Sequence, residues 1–408
     1  MGTNFSASMR QALQLVRSQN VLEATRVIQR AFLDRGVDAS QVDDPRESAL
    51  IPPPSETVKP APQQAQEMAA SAGKAAMRRQ RSGRPRRPLG EVVKLLRQAD
   101  LSGLRRGSVQ APGLRKAPTV PVPEGAAYLE RRFACAAGSR NYKVYVPASA
   151  KGQRLPLIVM LHGCTQNPDD FAVGTGMNRL AEDRGFIVAY PEQPASANRS
   201  ACWNWFDHAH QTRDEGEPAI LAGVTRAVLA EFAVDPARIY VAGLSAGGAM
   251  AAILSATYPE LYAAAGIHSG LPHGAAADLP SAFAAMRGSK TPPAPRARRA
   301  KARVRTIVFH GANDKVVHPS NATAILADAR AGLPDRAQEL IQDGVAAGRT
   351  YTRSLVIDGR GVSHAEYWAI DGLGHAWSGG SPEGSFTDAQ GPDASGEMLR
   401  FFLETERK

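Results

Sequence analysis

Cysteine and aromatic residues are scarce in this chain of 408 residues: three Cys (Cys135, Cys164, Cys202), four Trp, and 6% Phe, Trp and Tyr together. An odd cysteine count leaves one thiol unpaired in any arrangement, and in a reducing compartment all three stay reduced. No apolar stretch reaches 18 residues, so no segment is expected to span a membrane as a helix. No Cys/His cluster has metal-ligand spacing and no glycine-rich phosphate loop occurs, so neither a metal nor another cofactor is expected. The first residues lack a secretory pattern, because Gln11, Gln14, Arg17 and Gln19 interrupt the apolar positions. On sequence grounds alone the expected location is cytoplasmic.

Charge is unevenly spread. Residues 1–120 hold 20 Lys and Arg against 10 Asp and Glu, so the whole net charge of +10 sits there and the remainder is neutral. Within residues 1–35, Met9, Leu13 and Val16, then Val21, Ala24, Val27, Ile28 and Phe32, predict two short amphipathic helices in a hairpin. Asn20 is placed to cap the second, with Glu23 completing a capping box. Residues 36–124 are Pro-, Gln-, Ala- and Arg-rich and read as disordered linker. Such a basic segment suits either an anionic partner or surface of a storage granule, or plain solubilisation. Without interleaved aromatics or a base-reading fold signature, specific nucleic-acid binding is not expected. The basic segment 291–305 reads as a surface loop.

Residues 125–408 read differently. With 43% hydrophobic residues overall there is material for one large core. Strand patterns at 142–146, 157–161, 186–190, 239–242 and 263–268 alternate with helix patterns at 178–184, 219–232 and 247–257. That order predicts a mostly parallel, doubly wound α/β sheet.

One string in this part carries chemistry. Gly243-Leu244-Ser245-Ala246-Gly247 follows an apolar strand and opens onto a helix, the context of a nucleophile elbow. The flanking glycines let the backbone turn sharply, and the turn leaves Ser245 at a helix N-terminus where the Ala246 amide faces a developing negative charge. The strand 304–310 runs into Gly311-Ala312-Asn313-Asp314, placing an acid on a loop at a strand's carboxyl end. The strand 365–370 runs into Asp371-Gly372-Leu373-Gly374-His375, placing a base before the last helix, 395–404. The order Ser, Asp, His is that of a serine hydrolase, with Ser245 as nucleophile, His375 as base and Asp314 as its orienting acid. Leu157–Cys164 supplies a strand and small-residue turn, and the Cys164 amide is the candidate second oxyanion donor.

These residues resemble a known family. Leu161-His162-Gly163-Cys164-Thr165-Gln166, Cys202-Trp203-Asn204-Trp205-Phe206, Asp235 through Gly248, and His375-Ala376-Trp377-Ser378-Gly379-Gly380 look like the polyhydroxybutyrate depolymerase family of α/β-hydrolase esterases, over residues 125 to 405. Feruloyl and acetylxylan esterases are related. The resemblance implies the same triad and the Cys164 amide in the oxyanion hole. It also implies a disulfide between Cys164 and Cys202 and an extracellular location, against the cytoplasmic one above. Trp203, Trp205 and Trp377 stand beside the motifs as candidate acyl-pocket walls, or, for the first two, as core aromatics. The expected function is hydrolysis of poly- or oligo-hydroxyalkanoate esters through an acyl-enzyme. The alternatives are an esterase of the feruloyl or acetylxylan type, and a granule- or anion-binding protein acting through its basic extension.

Overall fold

A computed structural model describes residues 118–150, 152–289, 304–330, 337–359 and 361–404. The expected hairpin 1–35, nearly all of the linker 36–124 and most of the basic segment 291–305 lie outside those residues.

The strand β3 (Leu155–Leu161) shows how the sheet is built: its sequence LPLIVML is buried at every position. Leu157, Val159 and Leu161 join one core cluster, while Ile158 and Met160 join another. Alternate side chains thus enter two cores on opposite faces, and a strand covered on both faces reads as a continuous apolar run. One core is completed by helices α3 (Gly216–Glu231) and α4 (Ala246–Thr257), the other by α1 (Pro168–Thr175), α2 (Met177–Arg184) and α7 (Ala394–Leu403). Helix α5 (Leu279–Met286) adds Ala282 and Ala285 to the first, and α6 (Ser320–Arg330) packs Ala322 and Ile325 against Ile267 and Val308.

The main sheet joins β3 to β1 (Ala127–Cys135), β2 (Gly138–Val146), β4 (Ile187–Pro191), β5 (Val234–Leu244), β6 (Ala264–His268), β7 (Arg305–Gly311), β8 (Gln338–Ala346), β9 (Arg349–Ile357) and β10 (Ser363–Ile370). Their order is β1-β2-β4-β3-β5-β6-β7-β10-β9-β8. The run β4-β3-β5-β6-β7-β10 is parallel throughout. Antiparallel hairpins β1-β2 and β8-β9 extend it at either end. Short strands β11 (Trp377–Ser378) and β12 (Thr387–Asp388) pair separately. This is the mostly parallel, doubly wound sheet of an α/β-hydrolase. Its parallel block brings the carboxyl ends of β5, β6, β7 and β10 to one edge, where loops carry function in open α/β sheets.

Each strand and helix expected within the described residues is present, most of them longer by a few residues. Helix α1 starts where Asn167 accepts a hydrogen bond from the Asp170 amide and Pro168 takes the first turn. The hairpin β8-β9 is an addition to the expected elements.

Candidate active site

Strand β5 ends at Leu244 and α4 begins at Ala246, so Ser245 alone makes the turn, with φ 56° and ψ −118°. Side chains rarely adopt this left-handed φ, and such strain concentrates at functional turns. The neighbouring glycines make it possible. A Cβ on Gly247 would lie 2.6 Å from the His162 carbonyl oxygen and would collide with that of Leu161, while one on Gly243 would lie 2.5 Å from the Gly247 carbonyl. The Ser245 amide donates to the His268 carbonyl at 2.9 Å, and its own carbonyl accepts from the Ala249 amide. The Ala246 amide is in the first turn of α4, where no intrahelical acceptor is available.

Asp314 and His375 are joined directly. His375 Nδ1 donates to Asp314 Oδ2 at 2.7 Å, and Asp314 Oδ1 accepts the Val316 and Val317 amides at 2.9 Å each. The carboxylate is buried. Burial alone raises its pKa, but hydrogen bonds from His310, His375 and the Val317 amide, with the charge of His375, outweigh burial and hold it well below the usual range. The loops bearing Asp314 and His375 are also clasped: the Ala312 amide donates to the Ile370 carbonyl at 2.8 Å and the Asn313 amide to the Leu373 carbonyl at 3.0 Å.

His268, at the end of β6, brings this pair toward the elbow. It is fully buried, stacked against Trp377 at 5.1 Å and Phe309 at 5.8 Å between centroids. Its Nε2 accepts from the Ser378 amide at 3.0 Å, laying the segment just after His375 across β6, the neighbour of β5. An accepting Nε2 requires the hydrogen on Nδ1, which lies 3.2 Å from Ser269 Oγ. Burial, reinforced by the nearby His310 and His375, lowers its pKa well below the usual histidine value. Ser245 Oγ and His375 Nε2 make no hydrogen bond to a described residue. Bonds of this kind often tighten only with substrate in place.

The loop after β3 completes the site. A Cβ on Gly163 would stand 3.6 Å from the Ser245 Cβ, so this loop lies against the elbow. The Gly163 amide donates to Gln166 Oε1 at 2.9 Å, Thr165 to the Ser200 carbonyl at 2.7 Å, and Gln166 to the Gly163 carbonyl at 3.3 Å. The Cys164 amide donates to no described residue. Cys164 is bonded through sulfur to Cys202, as the resemblance implies, and Cys135 is free and exposed.

Behind the disulfide lies a buried polar network. Glu217, fully buried at the start of α3, accepts from Gln193 Nε2 at 2.6 Å, the Asn204 amide at 2.7 Å, Asn204 Nδ2 at 2.8 Å and Arg140 Nη2 at 3.3 Å. The Gln193 amide reaches His162 Nε2 at 3.1 Å. The Cys202 segment is thus fixed both to the loop after β3 and to the protein interior.

The structure corrects the acyl-pocket reading of the tryptophans. Trp203 and Trp377 are 0% and 1% exposed, with Trp203 Nε1 donating to the His162 carbonyl and Trp377 Nε1 to Ser395 Oγ. They are packed inside the cores and present no open wall; Trp205, 7% exposed, packs edge-on against Phe206. The sequence reading missed His268, His310, Gln166 and Glu217. His162 and Gln166 lay inside the quoted motif, but their bonds run to Gln193, Asp170 and Ser385, which spacing does not connect.

Among the described residues no helix is long and apolar enough to cross a membrane, and no group of three or more His, Cys, Asp or Glu is placed to hold a metal. Comparison with known proteins gives consistent results. The sequence profile of the family described as "Esterase PHB depolymerase" matches residues 140–333. Poly(3-hydroxyalkanoate) depolymerase C of Paucimonas lemoignei is 35% identical over 185 residues, 43% of this chain and 43% of that protein. Feruloyl esterase B of Neurospora crassa is 34% identical over 144 residues, 35% of this chain and 48% of that protein. The chain therefore spans less than half the length of these two curated relatives. An acetyl xylan esterase structure from Aspergillus awamori superposes with a TM-score of 0.49 at 22% identity, covering 64% of this chain and 93% of that one. Through residues 140–333, the α/β unit built around Ser245 is similar to the family described as "Esterase PHB depolymerase".

Proposed function

We propose that the chain is a serine carboxylic-ester hydrolase that cleaves poly- or oligo-hydroxyalkanoate esters through an acyl-enzyme. The observation that carries this reading is the 2.7 Å bond between His375 Nδ1 and buried Asp314, set on the same sheet edge as the strained turn of Ser245. Asp314 fixes the imidazole tautomer and leaves Nε2 to take the Ser245 proton as Oγ attacks the ester carbonyl. The amides of Cys164 and Ala246 are the donors for the oxyanion, each of a kind whose loss costs about 3 kcal/mol of transition-state stabilisation. The tetrahedral intermediate collapses with the proton passing from His375 to the leaving alkoxide. Water, deprotonated by His375, then releases the acid and restores Ser245.

The hydroxyalkanoate choice is supported by the family match and by the Paucimonas relative. The match to feruloyl esterase B favours a second reading, hydrolysis of acyl groups on polysaccharide. The disulfide near the site supports an oxidising, extracellular setting over the cytosol. The basic residues 1–120 are proposed as an accessory segment for anionic surfaces, dispensable for soluble esters.

The test is hydrolysis of amorphous poly(3-hydroxybutyrate) and its soluble dimers beside acetylated and feruloylated xylan, with the full chain and Ser245→Ala. Serine-dependent release of 3-hydroxybutyrate is expected. Release of acetate or ferulate alone replaces the first reading by the second. Hydrolysis that persists in Ser245→Ala rejects the nucleophile.

A further inference from the structure

His310 is an ionisable residue in the core for which the triad chemistry has no use. It lies one position before the end of β7, is fully buried, and precedes Asp314 by four residues. Its Nε2 stands 2.8 Å from the Val317 carbonyl oxygen and 3.4 Å from Asp314 Oδ2, the same oxygen that holds His375. A carbonyl and a carboxylate have only lone pairs to offer, so Nε2 carries the hydrogen and points it between them. Its other nitrogen, Nδ1, is buried with no partner, a cost that an apolar residue in this place would avoid. The compensation lies on the Nε2 side.

We propose that His310 is a positioning residue for the Asp314–His375 pair, acting as a second N–H donor beside Oδ2 and so limiting how tightly the carboxylate holds the charged base. This rests on the reading of Ser245, Asp314 and His375 as a triad. His310 acts from two directions. Its bond to the Val317 carbonyl steadies the turn whose Val316 and Val317 amides hold Oδ1. Its proximity to Oδ2 sets a second N–H beside the oxygen that holds His375, so the carboxylate's charge is shared between the two rings. The titratable groups gathered around the pair are His310 on β7 and His268 on β6, and His268 faces His310, His375 and Asp314. Lys315, beside Asp314, is exposed.

The experiment is the pH profile of kcat/KM on a soluble 3-hydroxybutyrate dimer, or on whichever soluble ester the wild type hydrolyses, for wild type, His310→Phe, His310→Leu and His310→Gln. Phe fills the ring volume without nitrogens, and Leu is the second apolar variant should Phe fail to fold. Gln returns an N–H donor near the position of Nε2. The apolar variants are expected to move the acidic limb to higher pH by roughly half a unit or more, with Gln restoring most of the shift. An acidic limb that stays in place while activity falls across the whole profile means a structural role only and overturns the proposal. So does a shift to lower pH. If wild type shows no Ser245-dependent hydrolysis of any ester, the triad reading fails and this proposal with it; a serine-dependent wild type with unshifted variants overturns the His310 role alone.

Discussion

Gly311 and Gly374 touch backbone to backbone: a Cβ on Gly311 would lie 2.6 Å from the Gly374 carbonyl oxygen and would collide with that of Leu373. Gly374 immediately precedes His375, and Gly311 ends the strand that leads to Asp314. The spacing between acid and base is therefore set by the missing side chain of Gly311 as well as by the bond between them. Gly311→Ala is expected to lower stability by about 1–3 kcal/mol, as overpacking does. It should also push the two loops apart, with kcat/KM falling on the order of 100-fold, the usual consequence of misplacing a catalytic group by about 1 Å. Thermal unfolding and ester hydrolysis measured on the same preparation check both, and full activity with unchanged stability would contradict the close approach.

The Cys164–Cys202 bridge closes a separation of 38 residues, for which loop-closure entropy gives about 3–4 kcal/mol. A Cys164→Ser/Cys202→Ser double variant should lose about that much stability in urea. Its kcat should fall roughly tenfold or more, because the amide assigned to the oxyanion is held less firmly. Loss of stability with kcat untouched would separate the bridge from the oxyanion loop.

Acid should weaken the fold before the carboxylates titrate. Burial holds the His162 imidazole down at about 4 against an ordinary 6.5, with its bond to the Gly163 carbonyl and the charge of Asp170 only partly offsetting burial. The unfolded chain takes up this proton near pH 6.5 while the folded chain refuses it until about 4. Protons are thus bound preferentially by the unfolded chain in that window. Stability is complete above pH 6.5 and is lost by about 3 kcal/mol on this account as pH falls to about 4. His268, lowered in the same direction, adds to the loss. Asp314, depressed instead, contributes stability that disappears only below the ordinary aspartate range. Urea midpoints between pH 7 and 4.5 measure the slope, and His162→Gln should flatten it; equal slopes would refute the assignment.

Removal of Glu217 leaves Arg140, 9% exposed, without its buried partner. Glu217→Leu is expected to cost about 3–5 kcal/mol, the range for breaking rather than replacing a buried pair. It should also release the segment bearing Cys202, visible as faster amide exchange around Asn204. An ordinary surface-like change below 0.5 kcal/mol would show that the network is not a structural anchor.

The central strands were readable because β3, β4 and β7 are buried on both faces, which forces continuous apolar runs. The elbow and the Asp314 loop were readable because each follows such a run directly, and the His375 loop because glycines flank it after the half-buried β10. Hairpin β8-β9 was not, since β8 is exposed along most of its length and shows little apolar alternation. Its turn at Ala347 and Gly348, both with positive φ, was the available cue. Trp377 was misplaced for another reason. Adjacency to a motif fixes the position of a backbone, whereas the direction of a large ring is decided by distant neighbours such as Ser395 and Phe171. His310 read as the last apolar-strand residue because its role depends on the turn at 314–317 folding back over it.

Asp314 and His375 are 61 positions apart, yet the strands that deliver them are neighbours, because β10 returns to pair with β7 while β8 and β9 are laid outside it. The chain between acid and base is therefore an outboard excursion rather than a spacer. Its length can drift over evolutionary time without altering the reach of the base to its acid. What happens there reaches the base through β10 and through β9, where Arg349 and Thr350 bond to Asp371, four residues before His375.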